Sequence, residues 1–141
     1  MSVKVFLDTN LFVYMQSTSD LSKKELSYQA LEDFDCVVSV QVLNEFCNVA
    51  YKKLNMKTGQ IQQIIHAINN TCSVAVLTLK SVEKALLLKE RYGFSYYDSL
   101  IVASALENGC SYLFSEDMND GQMIDDSLEN VNIFIRPDFL I

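Results

Sequence analysis

The feature that most constrains this chain is an alternation of short apolar runs, rich in β-branched and aromatic residues, with amphipathic stretches long enough to be helices. Val3 to Leu7 is the first such run, and it ends in Asp8-Thr9-Asn10, a string that stops a strand and starts a helix. Leu21 to Phe34 is amphipathic through Leu21, Leu26, Ala30, Leu31 and Phe34, and Val37 to Val40 follows as a second strand. Gln41 to Leu54 has helical spacing, Thr58 is placed to cap a helix running to about Asn70, and Val74 to Leu79 is a third strand. Ser81 to Tyr92 is a helix stopped by Gly93. Ser95 opens another through Asn108, which Gly109 closes from the position where helices favour glycine. Cys110 to Phe114 makes a fourth strand, and Asn132 to Ile135 a fifth.

Strands that alternate with helices of this length are the sequence form of a parallel sheet covered on both faces. The expectation is a three-layer α/β/α sandwich with a mostly parallel central sheet of four to five strands. A single proline, four glycines and the absence of repeats or low-complexity stretches give no linker, so residues 1–141 are read as one domain. In such sheets ligands bind beyond the carboxyl ends of the strands, which is where Asp8 and Asp117 fall.

Composition narrows the function classes. Cys36, Cys47, Cys72 and Cys110 are widely spaced, and with His66 as the one histidine they form no zinc motif; they read as reduced core residues. No apolar stretch reaches the roughly 18 residues a membrane helix needs, and the short apolar run at the N-terminus meets an acid at once, so a cytoplasmic protein is expected. A net charge of −7 counts against a general nucleic-acid binder, since such proteins neutralise phosphates with clustered Lys and Arg. That objection weakens if several acids converge on one pocket, because bound divalent cations then cancel the charge and attract phosphate.

Four acids stand where such a pocket would form. Asp8 follows the first strand, where an acid ordinarily caps the next helix, although Thr9 and Asn10 offer alternative caps. Glu45 lies at the margin of the apolar sector made by Val42, Leu43, Phe46 and Ala50, beside Gln41, Asn44 and Asn48; this polar margin suits a pocket wall or an ordinary surface. Asp98 carries Ile101, Val102 and Ala105 at i+3, i+4 and i+7, so it points from within the apolar stripe, and a buried carboxylate needs a partner. The competing account of Asp98 is a capping box with Ser95. Asp117 lies past the fourth strand in Ser115-Glu116-Asp117-Met118-Asn119-Asp120-Gly121, which also reads as a turn. An EF-hand register fails there, because Gln122 occupies the sixth position, where glycine is needed. Hard oxygen donors without His or Cys favour Mg²⁺ or Mn²⁺.

The pieces Phe6-Leu7-Asp8-Thr9-Asn10, Val42-Leu43-Asn44-Glu45-Phe46, Tyr96-Tyr97-Asp98-Ser99-Leu100-Ile101-Val102-Ala103-Ser104-Ala105 and Leu113 to Gly121 together resemble the PIN-domain family, in particular the small VapC-like toxins of toxin–antitoxin pairs. The resemblance spans essentially the whole chain. It implies that Asp8, Glu45, Asp98 and Asp117 are an acidic quartet holding one or two divalent ions, with Asp120 assisting, and that Thr9, Asn10 and Ser115 contact water or the ligating carboxylates. It further implies RNA hydrolysis by metal-activated water, homodimers, and a protein antitoxin that covers the acidic pocket. Lys23-Lys24 and Lys52-Lys53 with Lys57 are the basic clusters; Lys52 and Lys53 are taken as RNA contacts, against the plainer reading of solvated helix ends. Two other readings stay open: a DNA-directed nuclease of the same fold, and a receiver-like signalling module. Receivers use paired acids and a late lysine, and the late strand here ends in Ser115-Glu116-Asp117.

Overall fold

The computed structural model describes residues 3–140; Met1, Ser2 and Ile141 lie outside the described residues. The order is β1 (Lys4–Leu7), α1 (Thr9–Tyr14), α2 (Leu21–Asp33), β2 (Asp35–Ser39), α3 (Val40–Lys52), α4 (Thr58–Thr71) and β3 (Ser73–Ala75). Then come α5 (Leu79–Tyr92), α6 (Tyr96–Glu107), β4 (Tyr112–Phe114), β5 (Met123–Ile124), β6 (Leu128–Val131) and a short 3₁₀ turn at Pro137–Leu140.

The strands form one sheet in the order β3-β2-β1-β4-β6-β5, parallel throughout except for β5, which runs antiparallel to β6. Val5 on β1 stands between Cys36 on β2 and Tyr112 on β4. Successive side chains of a strand point to opposite faces, and Val5, Phe6 and Leu7 have no exposed surface, so both faces of β1 are covered. Each such side chain contributes roughly 1.5–3 kcal/mol of burial, as an upper estimate against an extended chain. With right-handed crossovers, the helices between β1 and β3 lie on one face and α5 and α6 on the other. Consistent with this, α1 packs on α2 and α3, and α5 packs along α6.

The sheet has six strands rather than four or five, and its last strand is not where the periodicity placed it. Asn132–Ile135 is a turn: the Asn132 carboxamide accepts from the Phe134 N–H at 3.0 Å, and the Asn132 carbonyl accepts from Ile135 and Arg136. A side chain that bonds its own downstream backbone competes with strand formation. The strand lies four residues earlier, as Leu128–Val131, joined to β5 by a tight turn in which Asp125 and Asp126 have φ of 50° and 55°. Two consecutive positive φ values are the signature of the hairpin turn whose twist matches its strands.

Smaller displacements also have local causes. β3 is shorter than expected because Thr78 caps α5, accepting from the Ser81 N–H while the Ser81 hydroxyl accepts from the Thr78 N–H. Lys57, not Thr58, precedes the first turn of α4; its N–H donates to the Gln60 side chain, and the Thr58 hydroxyl pairs with Tyr51. No helix among the described residues is long and apolar enough to cross a membrane.

Candidate metal centre

The chain leaves β1 towards β2 and β3, then crosses to β4 on the other side of β1, so the carboxyl ends of β1 and β4 flank the point where strand order reverses. A crevice opens at such a point because the helices that follow diverge. Asp8 and Ser115 to Asp117 occupy this edge. The Asp8 N–H donates to the Phe114 carbonyl at 3.1 Å, which extends the β1–β4 ladder into the site.

Asp8 is 3% exposed and caps α1, one oxygen accepting from the Thr9 N–H at 2.7 Å. Thr9 and Asn10 therefore do not replace it as cap. Its other oxygen accepts from the buried Ser115 hydroxyl at 2.6 Å, and that hydroxyl in turn accepts from the Asp117 N–H at 3.2 Å. Burial pushes the Asp8 carboxyl up to about 6; the Ser115 and Thr9 hydrogen bonds oppose this, and the charges of Asp117 and Glu45 add to it. With one donor on each oxygen, Asp8 retains lone pairs on both.

The next two residues reach the other acids. The Thr9 hydroxyl donates to Glu45 Oε2 at 2.6 Å, and Asn10 Nδ2 donates to Asp117 Oδ2 at 3.3 Å. Glu45 Oε1 accepts from Gln41 Nε2 at 3.0 Å, and the same amide donates to the Tyr97 carbonyl at 3.1 Å, tying α3 to the first turn of α6. Three consecutive residues, Asp8, Thr9 and Asn10, thus join β1 to the post-β4 loop and to α3.

Asp98 sits in that first turn. Its N–H donates to the Ser95 hydroxyl at 3.2 Å, but the return bond of a capping box, from the Ser95 N–H to the Asp98 carboxylate, is not made. Burial raises its pKa, the Ser95 hydroxyl lowers it, and the charges of Asp117 and Glu45 raise it again. Asp8 and Asp98 therefore each lie within electrostatic reach of both Glu45 and Asp117.

Nothing cationic balances them: among the described residues, none of the four forms an ion pair with Lys or Arg. As they stand, no three His, Cys, Asp or Glu side chains among the described residues make a ready-made metal cage. The donor set nevertheless fits a hard divalent cation: it is all oxygen, its carboxylates repel one another, and a further oxygen, Asn10 Oδ1, is buried without a partner beside Asp117.

Asp120 is placed differently. Its Oδ1 accepts from the Asn132 N–H at 2.9 Å and from Arg136 Nη2 at 3.0 Å, and Arg136 also pairs with Glu129. Lys52 and Lys53 lie at the far end of α3, two turns from Glu45, so the structure does not bring them to the acids. Lys23 is committed to Glu116 at 2.7 Å and lies over the Tyr14 and Phe134 rings.

Two supporting residues escaped sequence reasoning. Fully buried Asn130 on β6 donates to the carbonyls of Met118 and Asn119 at 3.2 and 3.1 Å, pinning the loop that carries Asp117. Glu116 accepts from Lys23 and from the Tyr14 hydroxyl; burial alone would raise its pKa, but these bonds outweigh it and hold the carboxyl below its usual value. Asn130 shares the inward face of Leu128 on β6, and that alternation is the signal that could have exposed the first. The second depends on residues 93 positions apart and left no local trace.

Comparison with known proteins agrees with this fold. The fold matches VapC20 of Mycobacterium tuberculosis, described as a Sarcin-Ricin loop cleaving toxin, with a TM-score of 0.65 and 17% identity over 80% of this chain and 91% of that one. It matches a toxin–antitoxin complex from Klebsiella pneumoniae with a TM-score of 0.68 and 21% identity, over 88% of this chain and 94% of that one. It matches VapBC2 of Rickettsia felis, solved on a DNA fragment from its promoter, with a TM-score of 0.64 and 20% identity, over 92% and 100%. No curated protein sequence matches the chain. The PIN domain family model covers residues 5–119, from the first residues of β1 to just past Asp117, which sets aside a receiver-like module: the chain belongs to the PIN domain family.

Proposed function

We propose that this chain is a Mg²⁺- or Mn²⁺-dependent endoribonuclease, acting as one nuclease domain in the cytoplasm and serving as the toxin of a toxin–antitoxin pair. The observation that carries the reading is the convergence of Asp8, Glu45, Asp98 and Asp117 at the switch point of a parallel sheet with no cation among them. Asp8, Asp98, Glu45 and Asp117 would hold the ions. A divalent ion in such a site supplies an activated water and stabilises charge on the phosphoryl and leaving oxygens.

The chain's own residues do the positioning. Ser115 and the Thr9 N–H fix both Asp8 oxygens, the Thr9 hydroxyl and Gln41 fix Glu45, and Asn10 orients Asp117. No side chain is required as a covalent nucleophile. Its structural relatives include a Sarcin-Ricin loop cleaving toxin and a toxin–antitoxin complex, which favours RNA as substrate and a protein antitoxin as partner. The acidic chain suits an antitoxin that inserts a basic side chain into the site, and a homodimer is the expected assembly.

The test is cleavage of RNA and DNA in parallel by the wild type, with Mg²⁺ or Mn²⁺ and then with excess chelator. RNA products with 5′-phosphate and 3′-hydroxyl ends are expected, lost on chelation. A 2′,3′-cyclic phosphate, or activity that survives chelator, would overturn the mechanism, and preferential DNA cleavage would move the substrate to the other polymer.

A further inference from the structure

A groove of about 400 Å³ adjoins the acids, lined by Gln41, Asn44, Glu45 and Asn48 of α3 and by Tyr97 of α6. We propose that it is a base-reading subsite for single-stranded RNA: an unpaired base beside the cleaved phosphate stacks on Tyr97 while Asn44 and Asn48 meet its edge, and the strand runs on along α3 to Lys52. This deepens the nuclease reading and rests on it.

Four observations carry the inference. First, Tyr97 is an aromatic residue with 66% of its surface exposed, immediately before Asp98. Its ring is braced edge-on by Tyr96, with centroids 5.7 Å apart, and its carbonyl is held by Gln41. A stiff, exposed ring is a stacking platform for any base.

Second, the groove wall is made of carboxamides, which present donors and acceptors together and so complement a base edge. Third, Gln41 is buried to 8% exposure, and its Oε1 has no hydrogen-bond partner. An orphaned buried acceptor in the wall of an open groove calls for a donor from a ligand.

Fourth, the helical period sorts the basic cluster. Taking Gln41 as zero and about 100° per residue, Asn44, Glu45, Asn48 and Lys52 all fall within about 60° of it, whereas Lys53 lies about 120° away. Lys52 stands about 10 Å beyond Glu45 along the helix axis, at the rise of 1.5 Å per residue. It therefore continues the groove as a phosphate contact, and Lys53 does not.

The test uses the full chain and a single-stranded oligoribonucleotide whose cut position has been mapped, made with one abasic residue at each position in turn. An abasic residue beside the cut is expected to slow the wild type about tenfold, through KM more than kcat, and to leave Tyr97→Ala unaffected. Tyr97→Phe should behave as the wild type. Replacing Asn44 and Asn48 together by Ala should flatten the preference among bases at that position.

Equal abasic penalties in the wild type and Tyr97→Ala would overturn the subsite while leaving the nuclease standing. Binding of a 2-aminopurine oligoribonucleotide without metal separates the two claims. A fluorescence change that needs the Tyr97 ring, in a protein that cuts no RNA, removes the nuclease and keeps the base site; no change and no cleavage removes both. Lys52→Gln should lower the salt slope of binding by about 0.7, and Lys53→Gln should not. Equal slopes for the two variants would refute the path along α3.

Discussion

Asp117 and Glu116 are neighbours in sequence and opposites in chemistry. Glu116 is paired with Lys23, bonded to Tyr14 and held below its usual pKa. Asp117 has one amide contact, no cation, and two like-charged neighbours, Asp8 and Asp98, within electrostatic reach. The same contrast separates Asp120, tied to Arg136, from Asp8, which is buried and pushed up to about 6. Acids beside a cation serve to hold the loop in place. Where acids gather without one, the charged forms of Asp8 and Asp98 are disfavoured, a cost that a proton or a bound cation relieves.

The largest expected effect is on activity. Asp98→Asn removes a charge from the unbalanced group and should cut metal-dependent RNA hydrolysis by more than the roughly 10–100-fold typical of residues behind a metal ligand. Asp120→Asn removes a charge that Arg136 already answers and should fall within or below that range. Equal losses in the two variants, measured as kcat/KM on one RNA, would erase the distinction between the clusters.

Stability should move the opposite way. Asp8 has a folded pKa raised from 3.8 to about 6, so the folded state binds its proton more tightly than the unfolded one. Its contribution is fully present below pH 3.8 and is lost as pH rises through about 6, a difference of about 3 kcal/mol. In chelator, Asp8→Asn should therefore be more stable than the wild type at pH 8 and show little advantage at pH 4. Urea melts of both proteins at the two pH values would decide, and a destabilised Asp8→Asn at pH 8 would contradict the charge argument.

Adding Mg²⁺ should relieve the same repulsion. At 100 times its dissociation constant the ion would stabilise the wild type by about 2.7 kcal/mol, and Asp98→Asn by less. Thermal melts across a Mg²⁺ titration would show it. The smallest effect belongs to the paired side. Lys23→Ala loses a half-exposed ion pair and its packing over two rings, so a cost of about 1 kcal/mol is expected, insensitive to Mg²⁺.

The alternation of strands and helices was legible because both faces of β1, β2 and β4 are buried, and burial on both faces writes continuous apolar runs into the sequence. Asp8 and Asp117 were legible from their strand ends; the apolar stripe read around Asp98 is no stripe, because Ser99 to Ala105 are buried on every face of α6, and Asp98 is set apart instead by its place in the helix's first turn. The β5–β6 hairpin was not: β5 has two residues, β6 carries buried Asn130, and its turn uses two aspartates in place of glycine. Nor was the division between paired and unpaired acids. Lys23 meets Glu116 across 93 residues and Arg136 meets Asp120 across 16, contacts that only the folded sheet creates. Glu45 was hardest for the same reason, since its tie to the rest of the site is a hydroxyl 36 residues upstream.

The bond from the Asp8 N–H to the Phe114 carbonyl spans most of the chain, and so does the Ser115 contact beside it. Closing so long a loop carries an entropic cost that the contacts of the assembled sheet must offset. Asp8, Glu45 and Asp98 all precede β4 in the chain, so a chain ending before that strand would carry three of the four acids and lack both Asp117 and the Ser115 bond to Asp8. Any ion that the proposed centre takes would then find its full set of acids only once β4 has joined the sheet.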